Sequence, residues 1–178
     1  MKTFLTITIV IMLHVPFAFG DEVDQGLSNM ATEQMKVNTR KMIDAGVPGE
    51  DAIKITRMMI QSLFRQEHTL KVQQILLSVV GEDLPIEPFM YKVYEGIAKN
   101  APDEIVVRAM EKTRARHSFA YRHARRIATD SARVQGIANA VAGSLSAGMD
   151  YPDADRIMES IRVRTHQMTQ NRIEELTL

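Results

Sequence analysis

The sequence predicts an all-α protein, and three observations support this fold class. Apolar residues recur at steps of three and four along most of the chain, which is the spacing of an amphipathic helix. The sustained apolar–polar alternation of a half-buried strand is absent, as are the Asn-Gly and Asp-Gly pairs of tight hairpins. The breaks between apolar stripes also share one helix-ending chemistry. We therefore expect six or seven helices in antiparallel hairpins, forming one compact or slightly solenoidal bundle.

The first element in the chain, residues 1–20, is typical of a secretory signal peptide. Lys2 supplies a positive charge, and residues 4–15 form an uncharged, mostly apolar run. Small residues at Ala18 and Gly20 then precede an acidic residue. The run is shorter than the roughly 20 residues of a transmembrane helix. We expect cleavage after Gly20, export, and no transmembrane span in the mature protein; the alternative is a retained N-terminal anchor.

Composition predicts that residues 21–178 form a single helical domain. The hydrophobic fraction is 45%, the charged fraction is 25% and the formal net charge is zero, which argues against disorder. The chain has no cysteine and no tryptophan, which excludes disulfides, thiolate metal sites and cysteine nucleophiles. An exported domain without disulfides is more typical of a bacterial envelope protein, located in the periplasm or outside the cell, than of a secreted eukaryotic protein. Residues 21–28 are acidic and rich in turn formers, so we expect them to fray.

Seven helices are predicted along this domain from its apolar stripes. Their expected ranges are 25–44, 50–66, 68–80, 86–99, 103–128, 131–147 and 153–175. The helix near 131–147 is dense in Gly, Ala and Ser, so the backbone of a neighbouring helix can approach it closely. We therefore expect that helix to be the central one of the bundle.

The breaks between helices pair a residue that tolerates positive φ with a proline a few positions later. Gly or Asn closes one helix, and Pro, with its fixed φ and missing N–H, begins the next. The four pairs are Gly46 with Pro48, Gly81 with Pro85, Asn100 with Pro102, and Gly148 with Pro152. The residues after Pro102 and Pro152 also resemble one another, which favours a degenerate helical repeat. The alternative is that the similarity between the breaks is a coincidence, because well-formed helix ends commonly use Gly and Pro.

Residues 85–102 resemble a unit of uncharacterised exported bacterial helical proteins. The core of the unit reads Glu-Gly-Ile-Ala-Lys at residues 95–99, with Pro102 shortly after. The resemblance covers about twenty residues directly and about a hundred through weaker copies. Asn100 stands where glycine is the commoner choice, and both accept positive φ. The resemblance implies a helical repeat protein and brings no activity with it.

The sequence lacks the motifs of the common enzyme classes. It has no Gly-x-Ser-x-Gly, no phosphate-binding loop, no dinucleotide fingerprint and no His-Glu-x-x-His. Adjacent carboxylates such as Asp103 and Glu104 point about 100° apart on a helix and do not converge on one substrate. Glu95, flanked by Tyr91 and Tyr94, is the carboxylate best placed for the raised pKa of a glycosidase acid. We expect no enzymatic activity and no cofactor.

Histidine and methionine are the remaining candidate metal ligands. Imidazole with thioether would suit Cu(I). However, His117 and His123 are six residues apart and point about 120° away from each other on one helix. Five methionines lie on apolar stripes, where methionine is typical of a core: Met35, Met42, Met59, Met110 and Met158. We expect no metal site, and a metal-binding envelope sensor is a weaker alternative.

A basic stretch from Arg108 to Arg133 is the candidate binding feature. It carries eight Lys and Arg against two acidic residues. The side chains that would form a patch for an anionic partner are Arg114, Arg122, His123, Arg125, Arg126 and Arg133. The alternative is a solvated helix face whose arginines pair with acids of neighbouring helices. Export and balanced overall charge disfavour nucleic acid as the partner.

Together these features predict a non-enzymatic exported envelope protein that acts as an interaction scaffold. Its partner would be an unidentified protein or an anionic component of the envelope. The second candidate is a helical periplasmic chaperone or stress factor, because flexible methionine-bearing surfaces suit promiscuous binding.

Overall fold

The computed structural model describes residues 19–177, and the regular elements in this range are all helical. The α-helices are α1 (Phe19–Leu27), α2 (Glu33–Asp44), α3 (Gly49–Gln61), α4 (Gln66–Gly81), α5 (Glu87–Ala98), α6 (Asp103–Ile127), α7 (Ser131–Ser146) and α8 (Tyr151–Thr177). A 3-10 helix at Ser28–Met30 follows α1. The all-α class is confirmed, with eight α-helices in place of six or seven. Residues 1–18 of the predicted signal peptide lie outside the described residues.

The additional helix comes from the segment that we expected to fray. Residues 21–28 belong mostly to α1, in which Val23 is 0% and Leu27 1% exposed. Both side chains pack against Ile53 of α3 in a small apolar cluster of their own. Because this burial stabilises α1 against the domain, the prediction of a frayed start is wrong.

The predicted helix near 25–44 is divided by a break that we did not expect. Ala31 is extended, and Thr32 caps α2 by accepting a hydrogen bond from the Met35 N–H at 3.4 Å. A threonine at this position satisfies one of the free N–H groups of a helix start. The break itself, residues 28–32, carries neither glycine nor proline, which is why the sequence pattern did not reveal it.

The central helix of the domain is α6, which packs against α4, α5, α7 and α8. Helix α7 lies at the edge, so the expectation of a central α7 is wrong. A Cβ atom placed at Gly136 or Gly143 of α7 would meet nothing within 4 Å. The close approach occurs instead at Gly96 of α5, where a Cβ atom would overlap the Val106 side chain of α6.

The main apolar core runs from α2 to α7 around α6. Its largest fully buried side chains include Phe89, Met110 and Leu76. The five methionines predicted on apolar stripes are all buried, at 4% exposure or less: Met35, Met42, Met59, Met110 and Met158. Methionine here is a core residue, as its position in the pattern predicted.

A buried polar cluster joins α2, α3 and α4 inside this core. The Gln73 amide nitrogen lies 3.0 Å from the Met35 carbonyl oxygen and 3.0 Å from the Thr39 hydroxyl. The same nitrogen lies 3.1 Å from the Thr56 hydroxyl. Gln73, Thr39 and Thr56 are each 0% exposed. Because buried polar groups need partners, this cluster favours one register of the three helices.

Five helices end in the same backbone arrangement, a Schellman motif. In each, a residue with positive φ follows the helix, and the next N–H bonds to the carbonyl five residues earlier. The positive-φ residues are Gly46, Leu63, Asp83, Asn100 and Gly148. The predictions for Gly46, Asn100 and Gly148 are confirmed. The prediction for Gly81 is wrong, because that residue completes α4 and Asp83 takes the positive φ of 57°.

The prolines of the predicted breaks lie at or near helix starts. Pro48 and Pro102 are the N-cap residues of α3 and α6, each with φ of −53°. Pro85 lies two residues before α5, and Pro152 is the second residue of α8. The fixed φ and missing N–H of proline suit these positions, where no intrahelical bond is lost.

Candidate interaction surfaces

The basic stretch of α6 and α7 does not form one continuous patch. Arg114 and Arg125 contact the loop between α4 and α5, and His123 is buried against α8. The other predicted patch residues, Arg122, Arg126 and Arg133, are exposed. The six residues are therefore divided between helix packing and solvent.

Arg114 binds the carboxylate of Glu82, just after α4. Its Nε lies 2.8 Å from Glu82 Oε1, its second guanidinium nitrogen binds the same oxygen, and Ser118 donates to the other oxygen. Burial raises the pKa of the Glu82 carboxyl, but the bonds from Ser118 and Arg114 outweigh it and hold that pKa below its ordinary value. The carboxylate therefore stays charged and ties α6 to the end of α4.

Arg125 binds the same loop through its backbone. One guanidinium nitrogen donates to the Asp83 carbonyl at 2.6 Å, and another donates to the Glu82 carbonyl at 3.3 Å. The guanidinium also lies 5.6 Å from the ring centroid of Tyr121. An arginine at this place satisfies carbonyl groups that the end of a helix leaves free.

His123 belongs to the junction between α6 and α8. It is 7% exposed, its Nε2 lies 3.4 Å from the Asp155 carboxylate, and its ring lies 4.3 Å from that of Phe119. Phe119 in turn meets the edge of the Tyr151 ring at 5.1 Å. Because His123 is covered on these sides, the prediction that it lies in a surface patch is wrong.

A different surface stands out on α7, which carries no charged residue after Arg133. From Val134 to Met149 the chain carries no Asp, Glu, Lys or Arg. Val134, Ala138, Ala142 and Leu145 face the core. The opposite side is exposed and carries the small residues Gly136, Ala140, Gly143 and Ala147, with the uncharged polar residues Gln135, Asn139 and Ser146 beside them. A surface helix normally carries charge on its outer side, so this side of α7 is unusual for a solvated one.

Beside α7, α8 carries exposed large apolar residues, with the exposed Arg164 among them on the same side of the helix. Ile157 is 47%, Ile161 42% and Met168 73% exposed. The helix is held to the domain near its start, where Ala154 is 2% and Met158 3% exposed. From position 159 to 172 nearly all of its side chains are exposed.

One apolar groove of about 280 Å³ lies between α7 and α8. Ala140 and Ser144 line it from α7, and Ile157 and Ile161 line it from α8. The exposed small residues Gly136, Gly143 and Ala147 are not part of its lining. We name the groove and its rim the α7–α8 face and define it by Ile137, Ala140, Val141, Ser144, Ile157 and Ile161.

A second groove, of about 580 Å³, lies between α5, α6 and α7. Tyr91, Lys92, Arg116, His117 and Asn139 line it. Burial lowers the pKa of His117, as does the charge of Arg116, so the imidazole is neutral at pH 7. Of the groups that line it, Lys92 donates to the Glu95 carboxylate at 2.7 Å and the Thr113 hydroxyl donates to the Ala109 carbonyl at 2.9 Å.

The carboxylates that the sequence singled out have structural partners. The Asp103 carboxylate accepts hydrogen bonds from the Arg65 N–H at 2.9 Å and lies 2.9 Å from His68 Nδ1. The hydrogen bond from the Arg65 side chain, with further bonds from backbone N–H groups and His68, holds its pKa well below the ordinary value. Hydrogen bonds from Lys92 and Lys99 lower the pKa of Glu95 to about 2. Glu95 therefore lacks the raised pKa that a glycosidase acid needs.

Within the part of the chain that the structure describes, no group of three or more His, Asp or Glu side chains is placed to hold a metal ion. No described helix has both the length and the apolar character needed to cross a membrane.

The fold and these surfaces define an all-α protein with one unusual uncharged face. Comparison with protein-family models, with curated proteins and with solved structures finds no match. The chain therefore takes no function from a relative.

Sequence reasoning missed the α7–α8 face, although the signal was present. We interpreted the small residues of α7 as a place where a helix approaches, and the structure leaves that place uncovered within the described residues. The missing charge between Val134 and Met149 was the feature that could have marked it as a surface for another molecule.

Proposed function

We propose that this protein is a non-enzymatic exported scaffold that binds a protein partner through the α7–α8 face. The observation that carries the proposal is the contrast between exposure and charge on α7. Its outer side is open to solvent, and the chain has no ionisable residue from Val134 to Met149. Contiguous exposed apolar surface of this kind marks interaction sites on soluble proteins.

The position of the face on helices also supports a binding role. Helix α7 is anchored to α6 through Val134, Ala138 and Leu145, so its outer row is held rigidly. Rigid presentation lowers the entropy lost on binding. A partner helix would find small residues that allow close backbone approach next to large residues that fill a groove.

An anionic envelope component is a weaker candidate partner. Of the predicted basic patch, the exposed Arg122, Arg126 and Arg133 are the residues left for it, since Arg114 and Arg125 serve the α4–α5 loop. A chaperone role is favoured by one observation, the exposed Met149 that lines the same groove. The breadth of captured partners separates a chaperone from a scaffold with one partner.

The architecture that we propose for the scaffold is a degenerate helical repeat of antiparallel hairpins. The five like-built helix ends and the matching N-cap prolines, Pro48 and Pro102, support this proposal. It agrees with the resemblance of residues 85–102 to a unit of exported bacterial helical proteins.

Site-specific photo-crosslinking in the producing cells tests the proposed function. A photoreactive amino acid at position 161 should give a defined adduct, because Ile161 lies in the α7–α8 face. The matched control is position 163, since Val163 has the same exposure of 42% but points away from Ile161 on the helix. One main adduct at 161 supports a scaffold, and many adducts support a chaperone. Equal, weak crosslinking at both positions would contradict both roles.

Export is tested by the N-terminus of the recovered protein. The signal-peptide pattern predicts that protein isolated from outside the cytoplasm begins at Asp21. Mass spectrometry of the intact protein measures this directly. Recovery of protein that still begins at Met1 would contradict cleavage.

A further inference from the structure

We propose that the groove between α5, α6 and α7 binds a small aromatic carboxylate, with Arg116 at the carboxylate and Tyr91 against the ring. The groove has a volume of about 580 Å³, within the range of roughly 300–1,000 Å³ that is usual for small-molecule sites. Helix α7 lines it with Asn139, Gly143 and Ser146, which are not part of the α7–α8 face. The site is therefore separate from the surface proposed for the protein partner.

Arg116 supplies the positive charge that the groove offers to a ligand. Its guanidinium donates to the Thr113 hydroxyl at 3.3 Å and forms no ion pair with a carboxylate of the described residues. The other cation of the lining, Lys92, is bound to Glu95 at 2.7 Å. A guanidinium presents N–H groups in a planar fork that matches a carboxylate. One cation without an acid partner suits a ligand with a single negative charge.

Glu87 is the acid among the lining residues, and its charge acts at another part of the groove. Burial and the charge of Glu87 raise the pKa of Tyr121, whereas the charge that acts on His117 is that of Arg116. Thr113, which holds Arg116, precedes Tyr121 by eight residues, or about 12 Å along the axis of α6. A carboxylate bound between Thr113 and Arg116 therefore lies away from the acid.

His117 supplies a hydrogen-bond donor between these two ends. Its Nδ1 is buried and has no hydrogen-bond partner among the described residues. Buried N–H groups without a partner are rarer than buried acceptors without one, so we place the proton of the neutral ring on Nε2. Since Nδ1 is the buried nitrogen, Nε2 is the one that remains for the groove. Contact with the Phe89 ring, at 5.4 Å between centroids, orients the imidazole.

Tyr91 and α7 provide the surfaces for an aromatic ring. Tyr91 lines the groove from α5 and is 65% exposed, so its ring is open to stacking. Gly143 lines the groove from α7, and a Cβ atom placed there would meet nothing within 4 Å. The space over its backbone is therefore open. Pro88 and Ala142 add apolar surface to the lining. An apolar ring with one acidic group matches this combination.

The test is a titration of the purified protein with phenylacetate at pH 7, followed by two-dimensional NMR of the backbone amides. We expect saturable shifts at Tyr91, Arg116 and Gly143. Phenylacetamide, which has the same ring and no charge, should bind at least about tenfold more weakly, the usual effect of losing one charged hydrogen-bond partner. Acetate, which has the charge and no ring, should also bind more weakly.

Variants at Arg116 and at a matched arginine test the charge. Arg116→Gln should weaken phenylacetate by at least about tenfold in Kd. Arg122→Gln is the control, because it removes the same charge from an exposed residue of α6 that does not line the groove. It should leave the Kd unchanged. Circular dichroism should report the same helix content for both variants.

Variants at two glycines of α7 test the location without changing any charge. Gly143→Leu places a side chain in the groove and should abolish binding. Gly136→Leu is the matched control, since it adds the same side chain on the same helix, also into open space, but outside the groove. It should bind as the parent does.

Equal binding of phenylacetate and phenylacetamide would overturn the proposal, as would equal effects of Arg116→Gln and Arg122→Gln. An absence of saturable shifts with phenylacetate would also overturn it. None of these results bears on the crosslink expected at position 161, so the scaffold proposal and the carboxylate site fail or stand separately.

Discussion

Glycine has opposite roles at two residues of this chain. At Gly96 a Cβ atom would overlap the Val106 side chain, which is 2% exposed and has no free space to enter. At Gly81 in the last turn of α4 a Cβ atom would meet nothing within 4 Å. The first glycine permits the contact between α5 and α6, whereas the second only weakens its helix.

We therefore expect Gly96→Ala to lower the free energy of unfolding by about 1–3 kcal/mol, the usual cost of overpacking. Gly81→Ala should leave it unchanged or raise it by up to about 1 kcal/mol. Urea unfolding of both variants measures the difference. A Gly96→Ala protein as stable as the parent would show that α5 and α6 are not packed as closely as described.

Leu63 is strained at the end of α3. Its φ is 57°, a value that costs a non-glycine residue about 1–2 kcal/mol, and its side chain is 88% exposed. Leu63→Gly should therefore stabilise the protein by about 1 kcal/mol and raise Tm by roughly 2–4 °C. Thermal melting checks this, with Gly148→Leu as the reverse change at a φ of 111°. A lower Tm for Leu63→Gly would contradict the positive φ.

At the scale of elements, the arginines of α6 divide into pairs with different roles. Arg114 and Arg125 bind the α4–α5 loop, whereas Arg122 and Arg126 are exposed. Replacing the first pair with Gln should lower the free energy of unfolding by about 1–2 kcal/mol in total, since these contacts are partly exposed. Replacing the second pair should change it by less than about 0.5 kcal/mol.

Chemical denaturation of the two double variants measures this contrast. The double variant at Arg122 and Arg126 also serves as the matched control, because it removes the same number of charges from the same helix. Equal losses in the two variants would contradict the assignment of Arg114 and Arg125 to helix packing.

The junction of α6 with its neighbours makes stability depend on pH. Burial lowers the pKa of His123 despite the nearby Asp155, with Arg122 and Arg126 lowering it further, and burial also lowers the pKa of His117. The unfolded chain, with histidine pKa near 6.5, therefore binds protons that the folded chain does not. The two neutral histidines therefore contribute a stability that is complete above about pH 6.5 and is lost as pH falls through their lowered pKa values.

We expect Tm to fall between pH 7.5 and pH 5, and we expect the double change His117→Gln with His123→Gln to flatten that part of the profile. Thermal melts in buffers of constant ionic strength check both. The lowered pKa of Asp103 acts in a separate window, below about pH 4, where protonation of that carboxyl removes its contribution. An unchanged slope in the histidine variant would exclude these two groups as its cause.

Elements marked by apolar periodicity and by Gly or Asn were predictable from the sequence. The range expected for α6, 103–128, differs from Asp103–Ile127 by one residue, because both a proline and a long apolar stripe mark it. The end of α3 was misplaced because Leu63 gives no sign of adopting positive φ. Local pattern cannot show that a residue accepts strain because its neighbours are packed.

At the scale of the whole molecule, the surface was harder to predict than the core. Apolar periodicity identifies which side of a helix has the pattern of a buried side. It does not show whether another helix covers that side. The Gly and Ala positions of α7 have the pattern of a packed helix, and the rest of the described chain leaves them open. The arginines of α6 form one basic stretch in the sequence, yet the loop at Glu82 and Asp83 engages two of them. Such pairings depend on contacts between distant parts of the chain.

The account as a whole depends on the α7–α8 face being covered where the protein acts. Thiol labelling measures this most directly, since the chain has no cysteine and a single one can be placed at will. Ile161→Cys and Val163→Cys replace side chains of equal exposure, 42% each, on opposite sides of α8. In dilute purified protein both should react with a maleimide at similar rates. In the producing cells we predict that position 161 is protected and position 163 is not, whereas equal labelling of both in that setting would contradict the account.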